Sequence, residues 1–100
     1  MAEARVKASD LAQGEMVVID LAGTSVTVAN VGGAYYAFDD LCTHRQCSLS
    51  QGEIQGMTVL CPCHGSKFNL ATGAVIEGPA TEALKTYNVQ PEGDDLRVSS

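Results

Sequence analysis

The chain has 100 residues, 45% of them hydrophobic and 5% aromatic, and its formal net charge at pH 7 is −6. This length predicts one domain, and the acidic balance argues against nucleic acid and anionic membranes as partners. No run of about 18 apolar residues predicts a membrane-spanning helix, and the first residues lack the apolar core of a signal peptide. We therefore expect a soluble, cytoplasmic protein that docks to a surface carrying basic groups.

The first part of the chain predicts short strands separated by turns. The strands are expected over residues 5–8, 15–21, 24–31 and 34–38. Val26 and Val28 alternate with polar residues, which is the period of a half-buried strand. Gly32-Gly33 suits a two-residue hairpin turn, because both positions can adopt positive φ. Three aromatic side chains on the returning strand are expected to serve core and rim packing: Tyr35, Tyr36 and Phe38.

All four cysteines and both histidines lie in two short boxes. The first box is Cys42-Thr43-His44-Arg45-Gln46-Cys47, and the second is Cys61-Pro62-Cys63-His64-Gly65-Ser66. Each box contains a Cys/His pair, and 16 residues separate the first histidine from the second pair. Thiolate and imidazole are soft or borderline metal ligands, so this clustering predicts a metal site.

The remaining segments also predict strands and turns. A small hairpin around Gln55-Gly56 is expected between the boxes, and a short strand over 67–70 after the second box. A strand over 84–90, a turn over 91–94 and a strand over 96–98 complete the chain. No segment has a long helical period. We therefore predict an all-β fold, an antiparallel sandwich or barrel-like base, in which residues from about 40 to 80 form a small subdomain around the metal.

The boxes resemble those of the Rieske family, in which C-x-H and C-x-x-H hold a [2Fe–2S] cluster. Here they read Cys42-x-His44 and Cys61-x-x-His64. The downstream run Gly78-Pro79-Ala80 also fits, and the resemblance extends over roughly the whole chain, residues 1–100. It implies a single domain with the Rieske fold and one cluster per chain. It further implies that the two cysteines hold the inner iron and the two histidines the outer iron, near solvent.

The other two cysteines match a pair found in the Rieske proteins of cytochrome bc-type complexes. That resemblance implies a disulfide between Cys47 and Cys63, which would tie the two boxes together. In the chain-entropy model it would contribute on the order of 3 kcal/mol. The alternative is two free buried thiols, since disulfides are uncommon in the cytosol.

Four further positions are expected to surround the cluster. Ser66 matches a serine that, in high-potential members, donates a hydrogen bond to a cluster sulfur and so raises the potential. Phe68 stands where those members carry a tyrosine, and it has no hydroxyl to donate. Gly65 would let the backbone approach the cluster closely, and Pro79 would stiffen a covering loop.

The sequence therefore predicts a one-electron carrier rather than an enzyme. The resemblance implies that it passes electrons from a flavin-containing reductase to a terminal oxygenase or another redox enzyme, and a monomer suits a carrier that must dissociate from both. A structural zinc module is one alternative, although zinc boxes usually pair like ligands. A non-redox Rieske-like subunit is another. Because the cluster would occupy both histidines, no 2-His-1-carboxylate iron site remains for catalysis.

Overall fold

The computed structural model describes residues 3–41, 47–63, 65–78 and 82–99. These residues form the ten strands β1 (Glu3–Lys7), β2 (Met16–Leu21), β3 (Thr24–Val31), β4 (Ala34–Asp39), β5 (Glu53–Gln55), β6 (Thr58–Leu60), β7 (Lys67–Asn69), β8 (Val75–Glu77), β9 (Thr86–Glu92) and β10 (Asp95–Ser99). Single 3-10 turns cover Ala8–Asp10 and Leu49–Gln51. No helix within the described ranges has the length and hydrophobicity to cross a membrane. The all-β prediction is confirmed.

The strands form two antiparallel sheets. The larger sheet has the order β1-β10-β9-β4-β3-β2, and the smaller has the order β5-β6-β7-β8. The two edge strands of the larger sheet, β1 and β2, approach each other, so this sheet is nearly closed and barrel-like. The smaller sheet lies within the segment that the sequence assigns to metal binding.

Two tight turns connect the central hairpins of the larger sheet. Gly32 and Gly33 join β3 to β4 with φ of 60° and 88°, as the sequence predicts. Ala22 and Gly23 join β2 to β3 in the same way, with φ of 52° and 87°. Two consecutive residues with positive φ match the right-handed twist of the flanking strands.

Strand β3 is not half-buried, and that prediction is wrong. All five residues from Val26 to Asn30 are buried. The strand lies between β2 and β4, and its two faces pack against different hydrophobic clusters. Val28 belongs to the cluster inside the larger sheet, whereas Ala29 belongs to the cluster between the sheets. Polar residues on this strand therefore need internal hydrogen-bond partners.

The predicted turn over 91–94 is also too long. Pro91 and Glu92 belong to β9, and only Gly93 and Asp94 form the turn. Pro91 lies opposite Leu96 of β10, and beyond Tyr87 no other described strand pairs with β9. An edge of this kind tolerates proline, because the missing N–H would otherwise face solvent.

Two hydrophobic clusters form the core. The cluster inside the larger sheet contains Val6, Leu11, Leu21, Val26, Val28, Ala37, Leu96 and Val98. The inter-sheet cluster joins the two sheets and contains Ala29, Phe38, Leu49, Val59, Cys61, Phe68, Leu70 and Leu84. The three aromatic residues of β4 pack against these clusters, as the sequence predicts. One predicted metal ligand, Cys61, therefore lies in the core between the sheets.

Candidate metal centre

Among the four predicted ligands, only Cys61 lies in the part of the chain that the structure describes. Its thiol is free and its side chain is 2% exposed. It directly follows β6, so the small sheet determines its position. The predicted ligands Cys42, His44 and His64 lie outside the described residues.

The second box begins and ends at the base of a hairpin. Leu60 and Lys67 face each other at the ends of β6 and β7. The N–H of Cys61 donates to the carbonyl of Ser66 at 2.8 Å, and the N–H of Gly65 donates to the carbonyl of Cys61 at 3.2 Å. Gly65 has φ of 77°, which a residue with a Cβ rarely adopts. The predicted ligand therefore lies at the closed end of this loop, beside the fully buried Ser66.

A disulfide joins the second box to the segment that follows the first. Cys47 and Cys63 are bonded, with their Cα atoms 6.4 Å apart. The brace implied by the resemblance is present, and the alternative of two free thiols is wrong. The described part of the second box thus contains one cysteine in a disulfide, which is exposed, and one free cysteine, which is buried. Only the buried thiol remains available to bind a metal.

Asp40, to which the sequence analysis assigned no role, holds the segments on both sides of the first box. Its Oδ1 accepts hydrogen bonds from Thr27 Oγ1 at 2.6 Å and from the N–H of Ser50 at 3.1 Å. Its Oδ2 accepts one from Ser48 Oγ at 2.8 Å. Burial by itself would raise the pKa of Asp40, but these hydrogen bonds outweigh it and lower the pKa below 3.8. The two serines just after the first box are the sequence signal that could have indicated this acceptor.

Backbone hydrogen bonds around Asp40 close the same loop. Its N–H donates to the carbonyl of Ser25 at 3.0 Å, and its carbonyl accepts from the N–H of Leu49 at 2.7 Å. Leu41 and Ser48 form an antiparallel bridge. Residues 42–46, which contain two predicted ligands, lie in sequence between these fixed ends.

The other positions expected around the cluster have different surroundings. Phe68 is fully buried in the inter-sheet cluster, opposite Val59. Lys67, next to it, forms an ion pair with Glu77 at 3.4 Å, and both side chains are exposed enough that the pair contributes little stability. Pro79 lies outside the described residues.

A second buried carboxylate contact lies at the end of β4. Tyr87 donates its hydroxyl to Asp39 Oδ1 at 2.5 Å. Burial raises the pKa of Tyr87 to about 12, with further contributions from this hydrogen bond and from the charge of Asp39. This contact ties β9 to the strand that leads into the first box.

The described residues fit an iron–sulfur cluster. Such clusters bind thiolates that are shielded from solvent and held at a defined separation. Cys61 supplies a shielded thiol, and the disulfide and the Asp40 contacts restrain the two boxes relative to each other.

Comparison with known families decides between the cluster and the alternatives. The family model for the Rieske [2Fe-2S] domain matches residues 3–88. The chain belongs to the Rieske family. An iron–sulfur cluster is therefore its cofactor, and the predicted Rieske fold is confirmed. Family membership argues against a zinc module.

Relatives of this Rieske domain are ferredoxin components. It is 42% identical over 93 residues to the "3-phenylpropionate/cinnamic acid dioxygenase ferredoxin subunit" of Shigella flexneri serotype 5b (strain 8401), covering 90% of this chain and 85% of that one. It is 36% identical over 93 residues to the "Naphthalene 1,2-dioxygenase system, ferredoxin component" of Pseudomonas putida, covering 93% and 88%. A ferredoxin-like role, an electron carrier rather than an enzyme, is thus confirmed.

Solved structures show the same fold. A chain in the "Complex of reduced oxygenase and oxidized ferredoxin in carbazole 1,9a-dioxygenase" matches with a TM-score of 0.92 and 33% identity, covering 97% of this chain and 92% of that one. In that complex, the ferredoxin and the oxygenase are present together.

Proposed function

We propose that this Rieske ferredoxin is the electron carrier of a multicomponent dioxygenase system. It accepts one electron from a flavin-containing reductase and passes it to a terminal oxygenase. The observation that carries the proposal is the extent of the match, which covers 85% and 88% of two relatives named as ferredoxin components of dioxygenase systems. The solved complex of a similar ferredoxin with its oxygenase supports the same direction of transfer.

One [2Fe–2S] cluster per chain is proposed, held by Cys42, His44, Cys61 and His64. When bound, such a cluster takes up and releases a single electron. The free, buried thiol of Cys61 supports this assignment, because the other cysteines among the described residues are joined in a disulfide. The spacing of the two boxes supports the other three ligands.

The residues around Cys61 keep water away from its sulfur. Leu49, Val59 and Phe68 are fully buried in the same cluster as the thiol. Burial of this kind lowers the local dielectric, so hydrogen bonds to the sulfur have a larger effect on the potential. Ser66 is the proposed donor, while Phe68 contributes only packing.

Residues 1–100 are proposed to be one domain, in which residues 40–80 form the cluster-binding subdomain. The small sheet and its inter-sheet cluster support this division, because they join the subdomain to the larger sheet through buried side chains. We further propose that the protein acts in the cytoplasm as a monomer, which suits a carrier that binds two partners in turn.

Electron paramagnetic resonance of the dithionite-reduced protein tests the proposal. A rhombic signal with an average g value below that of all-cysteine clusters is expected, and Cys61→Ser should abolish it. Reduction by a flavoprotein reductase, followed by reoxidation on mixing with a terminal dioxygenase from a related system, should then be observed. A colourless, zinc-loaded protein without this signal would contradict the proposal.

A further inference from the structure

The inference concerns how the first box is held in place, and it rests on the proposed function. We propose that Asp40 is a positioning residue for the cluster. Its carboxylate and backbone fix both ends of the loop that contains Cys42 and His44, so that these two ligands meet the second box at the separation that the cluster needs.

The environment of Asp40 is unusual for an acidic residue. It is 5% exposed, yet no ion pair to it is found among the described residues. Three hydrogen-bond donors from Thr27, Ser48 and Ser50 surround its two oxygens instead. Burying a carboxylate is costly unless it is fully hydrogen-bonded. An exposed turn carboxylate would need none of these partners, so this arrangement indicates a specific structural task.

The donors come from two different parts of the fold. Thr27 lies at the middle of β3, which is buried on both faces and is therefore a rigid anchor. Ser48 and Ser50 lie just beyond the first box, and their hydroxyls are 2.7 Å apart. Asp40 lies just before that box. One carboxylate therefore links the rigid sheet to both ends of the loop.

The restraint continues into the second box. Ser48 is adjacent to Cys47, whose disulfide partner Cys63 lies within the second box. Any movement of the segment after the first box is therefore transmitted to the loop that begins at Cys61. Ligands that are not held by their surroundings bind metals less tightly, typically by tenfold to a hundredfold.

The test compares substitutions at Asp40 with a matched control on the same strand. Asn30 is 7% exposed, and its side chain makes two hydrogen bonds, to the carbonyl of Leu11 at 3.0 Å and from the N–H of Gly33 at 3.1 Å. These contacts lie at the other end of β3. Asn30→Ala should therefore lower the stability of the protein without disturbing the boxes.

Iron release to a chelator and the paramagnetic spectrum of the reduced protein are the measurements. Asp40→Ala should release iron roughly tenfold faster than the wild type and shift the g values. Asp40→Asn should stay within about threefold of the wild type, because an amide can accept from Thr27 and Ser50 and donate to Ser48. Asn30→Ala should release iron at the wild-type rate.

Three results would overturn the inference. One is wild-type iron release and g values in Asp40→Ala. Another is equally fast release in Asn30→Ala, which would reduce the effect to general destabilisation. The third is no rescue in Asp40→Asn, since the carboxylate would then act through its charge rather than by holding the loop.

Two milder variants serve if Asp40→Ala does not fold. Thr27→Val and Ser48→Ala each remove one donor and should each speed iron release in the same direction, by less. Wild-type release in both would overturn the inference. Failure of the proposed function is distinguishable, because the wild-type protein itself would then lack the rhombic signal.

Discussion

Gly52 lies so close to the carbonyl oxygen of Leu60 that a Cβ at position 52 would overlap that oxygen. Leu60 is the last residue of β6 and directly precedes the predicted ligand Cys61. The absence of a side chain at Gly52 therefore helps to determine where the free thiol lies.

Gly52→Ala should displace the Leu60 carbonyl and with it Cys61. We expect the free energy of unfolding to fall by about 1–3 kcal/mol, as for other insertions into packed sites, and iron to be released faster. Urea denaturation and chelator assays measure the two effects. Gly56→Ala is the control, because it lies in the same hairpin with φ of 61° and nothing near its Cβ position. Equal iron release in both variants would count against this explanation.

The disulfide should stabilise the protein by restricting the unfolded chain. Replacing both Cys47 and Cys63 with alanine is expected to lower the free energy of unfolding by about 3 kcal/mol. Denaturation of the apoprotein with and without dithiothreitol measures this. The reductant should destabilise the wild type and leave the double variant unchanged. A wild type that resists denaturation no better than the variant would refute the expectation.

Stability at high pH should depend on Tyr87. Its pKa is about 12 in the folded protein, above the ordinary value of 10.0. The protonated form is thus favoured by folding, so its contribution is complete below pH 10 and is lost as the pH rises towards 12. Tyr87→Phe should flatten the decline of stability in this window, as measured by urea denaturation at each pH.

Tyr35→Phe is the control for this pH effect, because it removes a different phenol from the neighbouring strand. We expect its stability to fall with pH as steeply as that of the wild type. A decline in Tyr87→Phe that is as steep as in Tyr35→Phe would show that the contact with Asp39 does not matter at high pH.

Phe68→Tyr should raise the reduction potential, on the order of tens of millivolts, if position 68 faces a ligand sulfur as the Rieske resemblance implies. The added hydroxyl would stabilise the extra charge of the reduced cluster. Redox titration followed by paramagnetic resonance gives the potential. Phe38→Tyr is the control, since Phe38 is equally buried in the same cluster but belongs to β4. A rise of the same size in both variants would argue against a specific contact.

The chemistry and most of the strands could be predicted from the sequence, because they depend on local patterns. The two Cys/His boxes, the Gly32-Gly33 turn and the short alternating strands each extend over a few residues. The wrong predictions concern burial and edges. Whether β3 is buried on one face or on both, and whether Pro91 can lie in a strand, depends on which strands lie beside them.

Sequence alone thus determined the ligand set that we propose, the all-β class and the family, since residue identity and spacing are sufficient for these. Only the tertiary structure decided that Cys47 and Cys63 are bonded, that Gly52 makes room for Leu60, and that Asp40 joins β3 to the first box. Thr27 and Asp40 are 13 positions apart in sequence. A hydrogen bond across that separation forms only when strand pairing brings both groups to the same buried place, and no local pattern records it.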